Sequence, residues 1–150
     1  MDKSPKFAVI GGGSWATAIV KMLSENVDTI YWYMRSNYAI EHIRKQEHNP
    51  NYLSSVEFDN DQLELSSDIN KTIAAADYLI FAIPSAFLKR ELDALTVSLE
   101  DKVIFSAIKG IVPESSLIVG EHFEEFHHVP ADNIRVITGP CHAEEAALER

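Results

Sequence analysis

The stretch YLIFAI, residues 78–83, is apolar without a break. A strand with one wet face alternates apolar and polar residues, so an unbroken run requires cover on both faces, which is the situation of a central strand in a parallel sheet. KVIFSAI (102–108) reads as a second buried strand. Around these two, short β-rich runs alternate with helical patterns along the whole chain. FAVI (7–10), TIYWYM (29–34), QLEL (62–65) and IRVIT (134–138) supply the other strands. Helices are predicted from Ser14 to Ser24, from about Tyr38 to Gln46, and from a cap at Asp68 to the run Ala74, Ala75, Ala76. Leu88, Leu92, Leu95 and Leu99 form a helical stripe, and Leu117, Phe123 and Phe126 mark a last helix. The loop HNPNYL (48–53) carries an Asn-Pro breaker. Six strands with helices between them predict an α/β, doubly wound, mostly parallel sheet with helices on both faces.

With 150 residues and 46% hydrophobic content the chain is one domain's worth with enough apolar mass for a core. No repeat, low-complexity segment or linker divides it. Asp and Glu outnumber Lys and Arg 23 to 13, for a net charge of -10, so nucleic acid would be repelled and any anionic ligand must be held locally. Cys141 is the single cysteine, which excludes an internal disulfide and fits a reducing compartment such as the cytoplasm. No apolar run is long enough for a signal-peptide core or for membrane insertion. The carboxyl end, GPCHAEEAALER, stops at Arg150 within a helix-forming pattern without a closing signal, so the chain is expected to be part of a longer protein.

Gly11-Gly12-Gly13-Ser14-Trp15-Ala16 follows the first strand and opens the first helix, reading G-x-G-x-x-A. In that context Gly11 permits the tight turn, Gly13 lets the backbone approach a pyrophosphate, and Ala16 lets helix and strand pack closely. Such a cradle works through backbone N–H groups and the positive end of a helix, which is how an acidic protein holds phosphates. An acidic residue at the tip of the second strand would bind the ribose 2′-hydroxyl of NAD, but the tip here is Met34-Arg35-Ser36. Arg35 suits a 2′-phosphate and Ser36 adds a hydrogen bond, so the local chemistry favours NADP over NAD.

The ordered series GGGSWATAI, YWYMRS, HNPNYL, ADYLIFAIPS, SAIKGI and ITGPCHAEEAA resembles the NAD(P)-dependent sn-glycerol-3-phosphate dehydrogenases, especially the bacterial ones, across nearly the whole chain. The resemblance implies a Rossmann-like NAD(P)-binding domain over residues 1–150, with a helical substrate and catalytic domain absent from this chain. It implies exchange of a hydride between NADPH or NADH and dihydroxyacetone phosphate, giving sn-glycerol 3-phosphate for phospholipid synthesis, and a possible homodimer of the full-length enzyme. It also implies cofactor contacts at Ser14, Trp15, Arg35, Ser36, Phe87, Lys109 and Ala143, and substrate contacts at Lys109, Gly139 and Cys141. The general acid, a lysine, and an Arg-Asn pair for the substrate phosphate belong to the absent domain. Two positions depart from the family: Cys141 stands where Ser or Thr is more usual, and Ala16 where bacterial members carry glycine.

Other constellations are weaker. EHFEEFHH (121–128) brings His122, Glu125 and His128 near one another on what reads as an exposed helix end, without metal-site spacing. Cys141-His142 lacks the orienting third group of a nucleophile pair. Trp15, Trp32 and Tyr33 have no basic stripe around them for base stacking. Two alternatives stay open: another NADP-linked reductase of the same fold, such as a ketopantoate-type reductase, and a nucleotide-sensing module without chemistry.

Overall fold

A computed structural model describes residues 4–138 and 142–148. In chain order the elements are β1 (Phe7–Ile10), α1 (Ser14–Ser24), β2 (Ile30–Tyr33), α2 (Asn37–Gln46), β3 (Leu63–Ser66), α3 (Ile69–Ala75) and β4 (Tyr78–Phe81). They continue with α4 (Ser85–Asp93), β5 (Val103–Ser106), β6 (Ile111–Val112), β7 (Leu117–Ile118), α5 (Val119–His127), β8 (Ile134–Val136) and α6 (Ala143–Ala147). Six strands form one parallel sheet in the order β3-β2-β1-β4-β5-β8. The order reverses direction at β1, so β1 and β4 flank the switch point where ligands bind in open α/β sheets.

Successive strand residues point to opposite faces, and the buried residues divide accordingly. Ala8, Ile10, Leu79, Phe81 and Ile104 pack with Ile73 of α3, Leu88 and Leu92 of α4 and Phe123 of α5. Val9, Trp32 and Ile80 pack with Ala16, Ile19 and Val20 of α1, Ile40 and Ile43 of α2, and Ala147 of α6. Helices therefore cover both faces, which is why β4 reads as a continuous apolar run. Among the described residues no helix is long and apolar enough to cross a membrane.

Three sequence expectations are corrected. The leucine stripe is not one helix: α4 ends at Asp93, and Leu95 and Leu99 lie beyond it although Leu99 stays buried. Asn70 of α3 holds the segment after the break, donating to the Ala94 carbonyl at 3.0 Å and accepting from the Thr96 amide at 2.7 Å, so the chain runs on outside the helix while its leucines pack against the core. Leu117 belongs to β7, which pairs antiparallel with β6 in a separate small hairpin. Strands of two residues are too short to leave a periodicity. Finally, β4 and β5 stop at Phe81 and Ser106, before the apolar runs do.

Candidate functional site

The carboxyl ends of β1, β2 and β4 meet at the glycine turn. Gly11 has φ +138°, and a Cβ there would lie 2.3 Å from the Ala82 carbonyl oxygen at the end of β4. Only glycine fits that position. Its amide donates to the Tyr33 carbonyl at 3.0 Å, and its own carbonyl accepts from the buried Trp32 indole Nε1 at 2.7 Å. The turn is thus fastened to β2 through both backbone polar groups of one residue.

Gly13 is the N-cap of α1, and no side chain caps it. A Cβ on Gly13 would meet no protein atom within 4 Å, so the space in front of the helix start is open. No acidic residue occupies the first turn of α1. Unpaired N–H groups at a helix start, open space before them and no competing carboxylate fit the diphosphate of a dinucleotide. Ala16 is fully buried and packs α1 against the sheet rather than lining the open space.

Asn49 is a site residue that the sequence reading passes over as part of a breaker. It is 1% exposed and uses its whole amide. Nδ2 donates to the Thr17 hydroxyl at 3.0 Å and to the Gly12 carbonyl at 3.3 Å, while Oδ1 accepts from the amides of Asn51 and Tyr52 at 3.0 and 3.2 Å. Thr17 in turn donates to the Gly13 carbonyl at 2.7 Å. This network ties the HNPNYL loop to the back of the glycine turn.

Two cavities flank the turn. One, of about 470 Å³, is bordered by Gly11, Gly13, Arg35, Ser36 and Phe87, together with Arg90 and Glu91 of α4. Arg35 is exposed, with Nη1 3.8 Å from Glu91 Oε1. Ser36 caps α2, its Oγ accepting from the Ala39 amide at 3.1 Å, which leaves its O–H proton for a ligand. Phe87 is 47% exposed, and the Arg90 guanidinium lies 5.0 Å from its ring centroid. Glu91 is buried and accepts a hydrogen bond from the Tyr33 hydroxyl. Burial first, and the adjoining Glu91 next, push the Tyr33 phenol far above the ordinary tyrosine range, so it remains a donor.

The second cavity, of about 520 Å³, is bordered by Ser14, Trp15, Ala107, Lys109, His142 and Ala143. Lys109 leaves the end of β5 and is exposed. Ala143 begins α6, whose Ala147 packs into the same core cluster as α1. Sequence reading therefore names residues from both cavities. Gly139 and Cys141 lie outside the described residues.

The EHFEEFHH segment is corrected in one respect: His122 is buried rather than exposed, with Nδ1 3.0 Å from the Ser115 hydroxyl. Among the described residues no cluster of three His, Cys, Asp or Glu side chains has metal-site geometry.

The strand order and the glycine turn at its switch point define a doubly wound α/β domain of the Rossmann class. A model of the NAD-dependent glycerol-3-phosphate dehydrogenase N-terminus matches residues 6–150, and the chain belongs to that family. A glycerol-3-phosphate dehydrogenase [NAD(P)+] of Pseudomonas paraeruginosa is 35% identical over 147 residues, covering 98% of this chain and 42% of the relative. One of Lysinibacillus sphaericus is 36% identical over 148 residues, covering 95% and 43%. The chain thus spans less than half the length of these relatives. The fold is shared with DsGPDH of Dunaliella salina, at TM-score 0.83 and 21% identity over 98% of this chain and 28% of that one. The crystal structure of the Coxiella burnetii glycerol-3-phosphate dehydrogenase gives TM-score 0.77 and 22% identity over 96% and 43%.

Proposed function

We propose that this chain is the NAD(P)-binding domain of a glycerol-3-phosphate dehydrogenase that interconverts dihydroxyacetone phosphate and sn-glycerol 3-phosphate. The observation that carries the reading is the uncapped start of α1 behind open space at Gly13, held by a turn that only Gly11 can make. Names of relatives that cite NAD(P)+ support the cofactor.

Bound NADPH or NADH supplies the hydride. In this reading, the amides following Gly11 and Gly13 and the Ser14 hydroxyl bind the diphosphate, and Ala16 keeps α1 close behind it. Arg35 and Ser36 take the adenosine ribose with its 2′-phosphate, and Phe87 lies against the cofactor. Trp15 and Ala143 border the nicotinamide end. Lys109, at the mouth of β5, faces the substrate phosphate and the cofactor as a mobile point charge. Gly139 and Cys141 complete the substrate contacts. The proton donor for the alkoxide formed on reduction lies in a helical domain beyond this chain, a division of labour that requires both parts for turnover. The full-length enzyme is a homodimer in the cytoplasm, and its substrate is a small molecule rather than nucleic acid.

Fluorescence titration tests this directly. NADPH and NADH should both bind, NADPH more tightly, and Arg35→Ala should lower NADPH affinity about tenfold with little change for NADH. The chain alone should reduce dihydroxyacetone phosphate poorly or not at all. Absence of nucleotide binding, or turnover approaching that of the full-length enzyme, would refute the proposal.

A further inference from the structure

Three charged side chains border the cavity at the tip of β2: Arg35, Arg90 and Glu91. Glu91 is buried and the arginines are exposed. Its Oε2 accepts from the Tyr33 hydroxyl at 2.5 Å, and its side chain is 9% exposed, against 61% for Arg35 and 56% for Arg90. The remaining oxygen, Oε1, lies 3.8 Å from Arg35 Nη1 and 3.6 Å from Arg90 Nη2, beyond good hydrogen-bond distance, so the guanidinium donors stay available to a ligand. Arg90 is steadied by the Phe87 ring below it.

We propose that Glu91 is a buried counter-charge that tempers the pull of Arg35 and Arg90 on a 2′-phosphate, and thereby sets how strongly this groove prefers NADPH over NADH. NADPH differs from NADH only by that phosphate, which brings up to two further negative charges to the tip of β2. A carboxylate touching both cations acts on this difference and on little else of the cofactor. Because Glu91 is shielded from water, its repulsion is screened less than that of a surface charge. Arg90 is then a second specificity residue, supplied by α4 and not by the strand tip.

The inference rests on the reading that this groove takes the adenosine end of the cofactor, and the two are separable. Dissociation constants for NADPH and NADH are measured on the wild-type chain and on Arg35→Ala, Arg90→Ala and Glu91→Gln. If neither nucleotide binds the wild type, the functional reading fails whatever Glu91 does. Given binding, Glu91→Gln keeps an acceptor for Tyr33 and should raise the NADPH-to-NADH affinity ratio about three- to thirtyfold at low salt, less at about 0.5 M salt. Arg90→Ala should lower the ratio. A ratio unchanged or lowered by Glu91→Gln overturns the proposal, a fall meaning that the carboxylate serves to hold the arginines in place. Should Glu91→Gln melt well below wild type, the exposed Arg90 position decides: an unchanged ratio there overturns it.

Discussion

The indole Nε1 of Trp32 donates a 2.7 Å hydrogen bond to the carbonyl oxygen of Gly11, fixing the glycine turn from the neighbouring strand. The bond is buried, so removing the donor strands a carbonyl without water. Trp32→Phe should cost about 1–3 kcal/mol for the unsatisfied group, with some further loss from the smaller ring. It should also weaken nucleotide binding. Urea denaturation showing wild-type stability would mean that this bond contributes nothing.

Gly11 and Gly13 should respond differently to the same added methyl group. Gly11→Ala meets the Ala82 carbonyl at 2.3 Å with φ already at +138°, so a loss above about 3 kcal/mol or failure to fold is expected. Gly13→Ala meets no protein atom and should melt near wild type. It should nonetheless bind NADPH at least about tenfold more weakly, since the methyl enters the space assigned to the diphosphate. Undiminished binding by Gly13→Ala would argue against phosphate at that point.

Asn49 satisfies four backbone and hydroxyl groups at once. Asn49→Ala leaves several of them unpaired, and a loss of about 2–4 kcal/mol follows. Asn49→Asp keeps the acceptors for Asn51 and Tyr52 but sets a carboxylate against the Gly12 carbonyl, so it should not rescue the loss. Thermal melts of the two variants check this.

His122 and His127 give stability a defined pH dependence. Burial holds both imidazoles below the ordinary histidine range, with Lys89 adding to the effect at His122 and His122 adding to it at His127. A histidine that protonates more readily unfolded than folded favours the unfolded chain in acid. Stability from these groups is therefore full above about pH 6.5 and falls as pH drops below it toward the folded values. Melting curves between pH 7.5 and about 5 should show the fall, and His127→Gln should flatten it. An equal slope in the variant would clear His127.

The sheet was legible because its rule is local: each central strand must be apolar throughout, and each crossover must carry a helical stripe. The Gly11 turn and Arg35 were legible for the same reason, being short patterns at fixed places in a βαβ unit. Trp32, Asn49 and Glu91 were not. Their partners lie 21, 32 and 58 residues away, at Gly11, Thr17 and Tyr33 respectively, and no periodicity encodes such pairings. Leu95 and Leu99 misled because a leucine can keep helical spacing in sequence after the helix has ended at Asp93 and Asn70 holds the chain that follows.

The backbone of Gly11 is held by the Tyr33 carbonyl, the Trp32 indole and close approach to Ala82. Nothing in that arrangement waits for a guest. A loop held this firmly has little freedom left to surrender on association, so the entropic cost of ordering it falls on folding and not on capture. Variants that slacken the clasp should consequently bind more weakly through a slower, less productive encounter, even where every group that touches the nucleotide is still present.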